Sequence, residues 1–169
     1  KHTKYWYPAV PNTWKPDDVK RMLDAIDRGN PSGKRDYAIL LLVAKLGIRV
    51  GDIKSLKLSH LDWHENRIHF TQQKTGTDVS FPILKDVGWA IIDYLKNGRP
   101  VSDTPYLFLR THAPYDAFGK DANLYNIITK YTRKAGISVP MGSRRGLHAL
   151  RHTLASTMLA NGTPLPIIS

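Results

Sequence analysis

The sequence contains no cysteine, so disulfide bonds and thiolate metal sites are excluded, as is common in cytosolic proteins. It also lacks a long hydrophobic run, because the longest apolar stretch, residues 37–44, is too short to cross a membrane. Acidic residues are scarce: 14 Asp and Glu stand against 25 Lys and Arg, a formal net charge of +11. This excess favours a polyanionic partner, with nucleic acid first and an anionic membrane surface second.

What is present predicts one globular domain, since 169 residues with 41% apolar content can bury a core. Residues 1–14 have no sustained periodicity and are interpreted as an N-terminal arm or interdomain linker, and residues 15–169 as the domain. Helical spacing of apolar residues dominates, and two short alternating segments near residues 67–71 and 79–83 predict a hairpin. The expected fold class is mainly α with a small antiparallel β-sheet (α+β). Helices are predicted from Pro16, and over residues 34–46, 84–96 and 124–134.

Two basic residues lie where predicted elements meet. Gly47 ends an apolar, central helix and another helix begins just after it, so Arg49 lies at the junction. Arg49 is either structural, paired with Asp52 one turn on, or directed at a ligand anion. Lys74 lies in a glycine-containing turn between the two strands. The local pattern alone favours a solvated turn lysine.

Residues 147–158 predict an amphipathic helix with an apolar stripe and, beside it, His148, Arg151 and His152. An imidazole and a guanidinium on one face suit an anionic oxygen cluster such as a phosphodiester. Taken alone, the His-x-x-Arg spacing favours a core histidine and a surface arginine that happen to lie one turn apart. A zinc site is disfavoured, because Ala149 stands where the zinc-protease motif has glutamate and no third ligand is evident. We expect no metal site.

Taken together, these segments resemble, in order and spacing, the catalytic domain of tyrosine recombinases, the phage integrase family. The resemblance covers the chain from about Pro16 and is carried by residues 47–52, 73–76 and 148–153. It implies that Arg49 and Arg151 clamp the scissile phosphate and that Lys74 is the general acid toward the leaving 5′ oxygen. It also implies that His148 assists proton transfer at the nucleophile.

The resemblance implies supporting roles as well. Asp52 would orient Arg49, and His152 would buttress the site. Arg144 and Arg145 directly precede the predicted helix and are candidate contacts to the DNA backbone. Because two arginines would neutralise the phosphate, no cofactor is expected.

The implied activity is site-specific recombination for a phage or other mobile element, through a 3′-phosphotyrosyl intermediate. Expected partners are double-stranded DNA and, for the full-length protein, three further copies in a tetramer on DNA, in the bacterial cytoplasm with the nucleoid. The family's nucleophilic tyrosine follows the His-x-x-Arg helix, whereas the last tyrosine here is Tyr131. We therefore expect a catalytic domain truncated before its nucleophile and unable to form the covalent link. The alternatives are a type IB topoisomerase-like enzyme and a DNA-binding module without catalysis.

Overall fold

The computed structural model describes residues 15–119 and 122–137. This part of the chain is mainly helical and contains one three-stranded antiparallel sheet, which confirms the predicted fold class. The helices are α1 (Pro16–Asp24), α2 (Pro31–Leu46), α3 (Val50–Lys54), α4 (Lys85–Asn97) and α5 (Tyr125–Ala135), and the strands are β1 (Leu61–Asp62), β2 (Arg67–Thr71) and β3 (Asp78–Pro82). A short 3-10 helix, Leu58–His60, precedes β1.

Helix α2 is the centre of the core because its residues 38–44 are all buried. It begins three residues before the predicted start, since the Asn30 side chain accepts a hydrogen bond from the Gly33 backbone N–H and Pro31 occupies the first turn. It ends at Gly47, whose φ of 67° is a left-handed conformation that favours glycine. Helix α4 packs along α2, and α1 and α3 also contact it.

The sheet has the order β1-β2-β3, with Ile68 opposite Phe81 in the register of β2 and β3. Alternating residues of β2 are buried, as the period-two pattern predicts. On the buried face, the rings of Phe70 and Phe81 stack with their centroids 5.8 Å apart. The residues that connect β2 to β3 therefore begin and end at strands that are paired with each other and packed against the core.

A buried polar group ties α5 to α2. Asp36 is 2% exposed, and its two carboxylate oxygens have different partners. Oδ1 accepts from Nε and Nη2 of Arg35, at 3.0 and 2.9 Å, and Oδ2 accepts from the hydroxyl of Tyr131 at 2.7 Å. Burial and the adjacent Asp36 carboxylate raise the pKa of Tyr131, so its hydroxyl stays a donor. Because a buried charge is stable only when paired, this contact fixes α5.

None of the helices within residues 15–119 and 122–137 is long and apolar enough to span a membrane. The predicted arm, residues 1–14, lies outside the described residues, as does the predicted helix of residues 147–158. The proposed boundary between arm and domain stays a prediction.

Candidate phosphate-binding site

Arg49 lies at the connection between α2 and α3. After Gly47 turns the chain, Ile48 is buried and Arg49 precedes the first turn of α3 in an extended conformation, with φ −69° and ψ 147°. Its Nη1 atom is buried and has no hydrogen-bond partner among the described residues. An unpaired buried guanidinium nitrogen is costly, whereas a ligand anion would satisfy it. Of the interpretations left open by the sequence, this geometry favours one in which Arg49 faces an anion.

Lys74 lies in the turn between β2 and β3, which is closed by its own hydrogen bonds. The Gly76 N–H donates to the Gln72 carbonyl at 2.8 Å, and the Gln72 N–H donates to the Thr77 carbonyl at 2.8 Å. Gly76 has a φ of 71°, which glycine adopts without strain. The Lys74 side chain is exposed, so its ammonium group is free to meet a ligand from solvent.

Arg49 and Lys74 line the same open pocket, which has a volume of about 470 Å³. One residue comes from the start of α3 and the other from the turn after β2, so the fold brings together two cations that are distant in sequence. The other lining residues are Val50, Gly51, Asp52, Lys54, Gln73 and Tyr125. Three cations and one carboxylate among eight lining residues make this pocket suited to an anionic ligand.

Asp52 lies on the floor of this pocket and is 4% exposed. Its Oδ1 atom accepts a 2.9 Å hydrogen bond from the backbone N–H of Gln73, and its Oδ2 atom is buried without a hydrogen-bond partner among the described residues. Within the described part of the chain, neither an ion pair nor a hydrogen bond joins Arg49 to Asp52. The orienting role predicted for Asp52 stays a prediction, and the contact that the structure does show is with the hairpin.

No role in the site was predicted for Gln73 or Ser55. The Gln73 side-chain amide donates to the Ser55 hydroxyl, and that hydroxyl donates to the Gly51 carbonyl at 3.1 Å. Neither residue belongs to a periodic pattern or a charged cluster, so a contact between α3 and the hairpin left no sequence signal. Lys54 was also missed; its Nζ donates to the Ala122 carbonyl at 2.9 Å and links α3 to the segment before α5.

The remaining predicted site residues lie outside the described residues: Arg144, Arg145, His148, Arg151 and His152. Their roles stay predictions. Within residues 15–119 and 122–137, no group of three or more histidine, aspartate or glutamate side chains is placed to hold a metal ion.

Comparison with known families shows to which family this chain belongs. Residues 12–169 match the model of the phage integrase family. The chain belongs to that family. It is 36% identical over 164 residues to y4rF of Sinorhizobium fredii, provisionally named an integrase/recombinase, covering 96% of this chain and 38% of that protein. It is 30% identical over 161 residues to tyrosine recombinase XerA of Pyrococcus furiosus, covering 95% of this chain and 52% of XerA.

Solved structures of this family have the same fold. A crystal structure of XerA recombinase superposes with a TM-score of 0.74 at 28% identity, over 95% of this chain and 53% of that one. The Tn1549 transposon integrase in complex with circular intermediate DNA superposes with a TM-score of 0.63 at 18% identity, over 92% of this chain and 55% of that one. The chain thus spans about half the length of these relatives and less of y4rF.

Proposed function

We propose that this chain is the catalytic-domain portion of a site-specific DNA recombinase that cuts and rejoins strands through a 3′-phosphotyrosyl intermediate. The observation that carries the proposal is the placement of Arg49 and Lys74 in one pocket, with Nη1 of Arg49 buried and unpaired among the described residues. A guanidinium and an ammonium group that line one pocket match a phosphodiester, whose transition state gathers negative charge on its oxygens.

In this proposal the chemistry needs no cofactor. A tyrosine oxygen forms a bond to phosphorus while the bond from phosphorus to the 5′ oxygen breaks. The tyrosine proton leaves with help from His148, and Lys74 gives a proton to the departing 5′ oxygen, which would otherwise be a poor leaving group. Arg49 and Arg151 stabilise the charge that develops on the non-bridging oxygens. Reversal of the same steps rejoins the strand, so ATP is not consumed.

The proposed partner is double-stranded DNA, on which the full-length protein would form a tetramer. The net charge of +11 supports a DNA partner. So does the fold shared with the Tn1549 integrase, which was solved in complex with DNA.

A covalent-trapping experiment tests the proposal. The family's nucleophile follows the His-x-x-Arg helix, whereas the last tyrosine of these 169 residues is Tyr131. We expect a polypeptide that continues past Ser169 to a downstream tyrosine to form a covalent adduct on a nicked suicide substrate, with chelator and without ATP. A polypeptide of these 169 residues should bind DNA without forming the adduct.

Substitutions at Arg151, with a control at Lys85, test which side chains promote adduct formation. Arg151→Ala in the longer polypeptide should slow adduct formation by roughly a hundredfold or more, by analogy with the loss of one oxyanion donor. Arg151→Lys should also be strongly impaired, because a point charge does not replace a bidentate fork. Lys85→Ala, at an exposed lysine of α4 outside the pocket, is the matched control and should react normally. Adduct formation that requires a divalent metal, or full activity of Arg151→Ala, would overturn the proposal.

A further inference from the structure

Apart from its continuity with β2 and β3, the turn that carries Lys74 is hydrogen-bonded to the rest of the described chain through one residue, Gln73. Within residues 72–77, the hydrogen bonds of Gln72, Thr75, Gly76 and Thr77 stay inside the turn. The hydrogen bonds that leave it for another element of the described structure both come from Gln73. Without the bonds of Gln73, the hydrogen bonds within the turn and between the strands would leave the tip of the hairpin free to move, since an exposed hairpin end is commonly mobile.

Gln73 has two attachments, one to α3 and one to Ser55, the residue that caps the C-terminus of α3. Its backbone N–H donates to Oδ1 of the buried Asp52, and its side-chain amide donates to the hydroxyl of Ser55. Ser55 is itself held, because its hydroxyl donates to the Gly51 carbonyl one turn earlier. Two contacts made by one residue fix both the position and the orientation of the turn, whereas a turn held by a single contact could rotate about that contact.

Helix α3 is the element that begins directly after Arg49. Asp52 and the C-capping residue Ser55 are therefore held relative to the backbone of Arg49, and Lys74 follows Gln73 immediately in the chain. We propose that Gln73 and Ser55 are positioning residues: the hydrogen bond between their side chains, with the bond from Asp52 to Gln73, holds Lys74 at a fixed place relative to Arg49. This inference rests on the proposed function, in which Lys74 is the general acid.

Leaving-group chemistry separates positioning of the acid from a general structural effect. A phosphodiester expels an alkoxide that needs a proton, whereas a 5′-bridging phosphorothiolate expels a thiolate, which leaves without one because a thiol is a far stronger acid than an alcohol. In the longer polypeptide that includes the downstream tyrosine, Gln73→Met and Ser55→Ala should cleave the phosphodiester roughly 3- to 10-fold more slowly, the effect of one neutral hydrogen bond. Both should cleave the phosphorothiolate at the unmodified protein's rate.

The chain supplies matched controls. Gln72 is the neighbouring glutamine, and its side chain accepts from the Thr75 hydroxyl inside the turn, without a hydrogen bond to α3. Gln72→Met should therefore have the smaller effect. Ser55→Thr keeps the hydroxyl and should restore cleavage. The Gln73→Met, Ser55→Ala double variant should be no slower than the slower single variant, because both changes break one bond. Since Gln73 is exposed, its replacement leaves the core unchanged.

Lys74→Ala distinguishes the two proposals. If Lys74→Ala is slow on the phosphodiester and recovers on the phosphorothiolate, the general-acid role of Lys74 stands. In that case the positioning inference alone is overturned if Gln73→Met cleaves at an unchanged rate or loses rate equally on both substrates. If Lys74→Ala loses equally on both substrates, the general-acid assignment fails and the inference fails with it. On the 169-residue chain, ¹⁵N relaxation should show lower order parameters at residues 72–77 in Gln73→Met, and unchanged values would independently overturn the attachment.

Discussion

The carboxylate of Asp52 accepts a 2.9 Å hydrogen bond from the backbone N–H of Gln73, 21 positions later in the chain. This bond joins the helix that follows Arg49 to the turn that carries Lys74. A backbone donor on the hairpin and a buried acceptor on α3 thus make one unit from two distant segments.

Replacing Asp52 should lower the free energy of unfolding. Asp52→Ala leaves the Gln73 N–H without its charged acceptor and should cost about 1.5–3 kcal/mol. Asp52→Asn keeps an oxygen acceptor of the same size, so we expect a smaller loss. Urea denaturation of the three proteins checks the order; equal stability of the alanine variant and the unmodified protein would contradict it.

Two glycines should respond oppositely to alanine. At Gly33 an added Cβ would lie 1.8 Å from the Asp27 carbonyl oxygen, so Gly33→Ala should destabilise the protein by about 3 kcal/mol or more. At Gly51, inside α3, the nearest atom to an added Cβ is Gln73 Oε1 at 3.9 Å. Gly51→Ala should stabilise the protein by about 0.4–1 kcal/mol, because the unfolded chain loses freedom. Thermal unfolding measures both; stabilisation by Gly33→Ala would show that the tight approach is wrong.

Two buried tyrosines provide a matched pair. The Tyr131 hydroxyl donates to the buried carboxylate of Asp36, whereas the Tyr94 hydroxyl accepts from the Leu109 N–H at 3.0 Å. Tyr131→Phe should cost about 1.5–3 kcal/mol and Tyr94→Phe about 1 kcal/mol, because the first bond involves a charged group. Chemical denaturation should give this order, and the reverse order would contradict the prediction.

Stability should depend on pH through His60. Burial lowers the pKa of His60, as does the positive charge of Lys57, and neutral Nδ1 accepts the Lys57 N–H at 2.9 Å. The unfolded chain, with a histidine pKa of about 6.5, therefore binds the proton more tightly. The His60 contribution is complete above about pH 6.5 and is lost as the pH falls through the lowered folded-state value.

His60→Asn keeps an acceptor for the Lys57 N–H and removes the titration. This variant should flatten the pH dependence of the free energy of unfolding between about pH 7 and 5. His64→Asn, at a side chain that is 94% exposed, is the control and should retain the slope. Identical slopes in both variants would exclude His60 as the source.

DNA binding by this chain should weaken steeply as the salt concentration rises, since each neutralised phosphate releases counterions. Replacing Arg144 and Arg145 with alanine should reduce the log–log salt slope by about 2, if both contact phosphates. The charge-matched control is the Lys85→Ala, Lys96→Ala variant of α4, outside the pocket, whose slope should be unchanged. A titration without salt dependence would contradict a phosphate-based interface.

The sequence predicted the elements whose signal is periodic. The predicted helix over 84–96 is α4 (Lys85–Asn97), and the predicted hairpin is β2 and β3. The start of α2 was placed three residues too late, because residues 31–33 show no apolar periodicity although Asn30 caps the helix and Pro31 begins it. Strand β1 was missed because two residues are too few to show alternation.

The pocket was predictable only in part. The local pattern placed Arg49 at a helix junction and Lys74 in a hairpin turn, but only the resemblance to a family implied that they act on one phosphate. The contact between Ser55 and Gln73 was not predicted, because a polar contact between two elements depends on tertiary packing and leaves no repeat in the sequence.

The bond between Asp36 and Tyr131 spans 95 positions, and this has a consequence for biosynthesis. At about 5–20 residues per second, a ribosome takes roughly 5–20 s to reach Tyr131 after making Asp36. During that interval the carboxylate lacks its hydroxyl donor, and the core lacks the buried residues of α5. We expect nascent chains stalled before α5 to be captured by chaperones, and chains stalled well beyond α5, once it has left the exit tunnel, to be released from them.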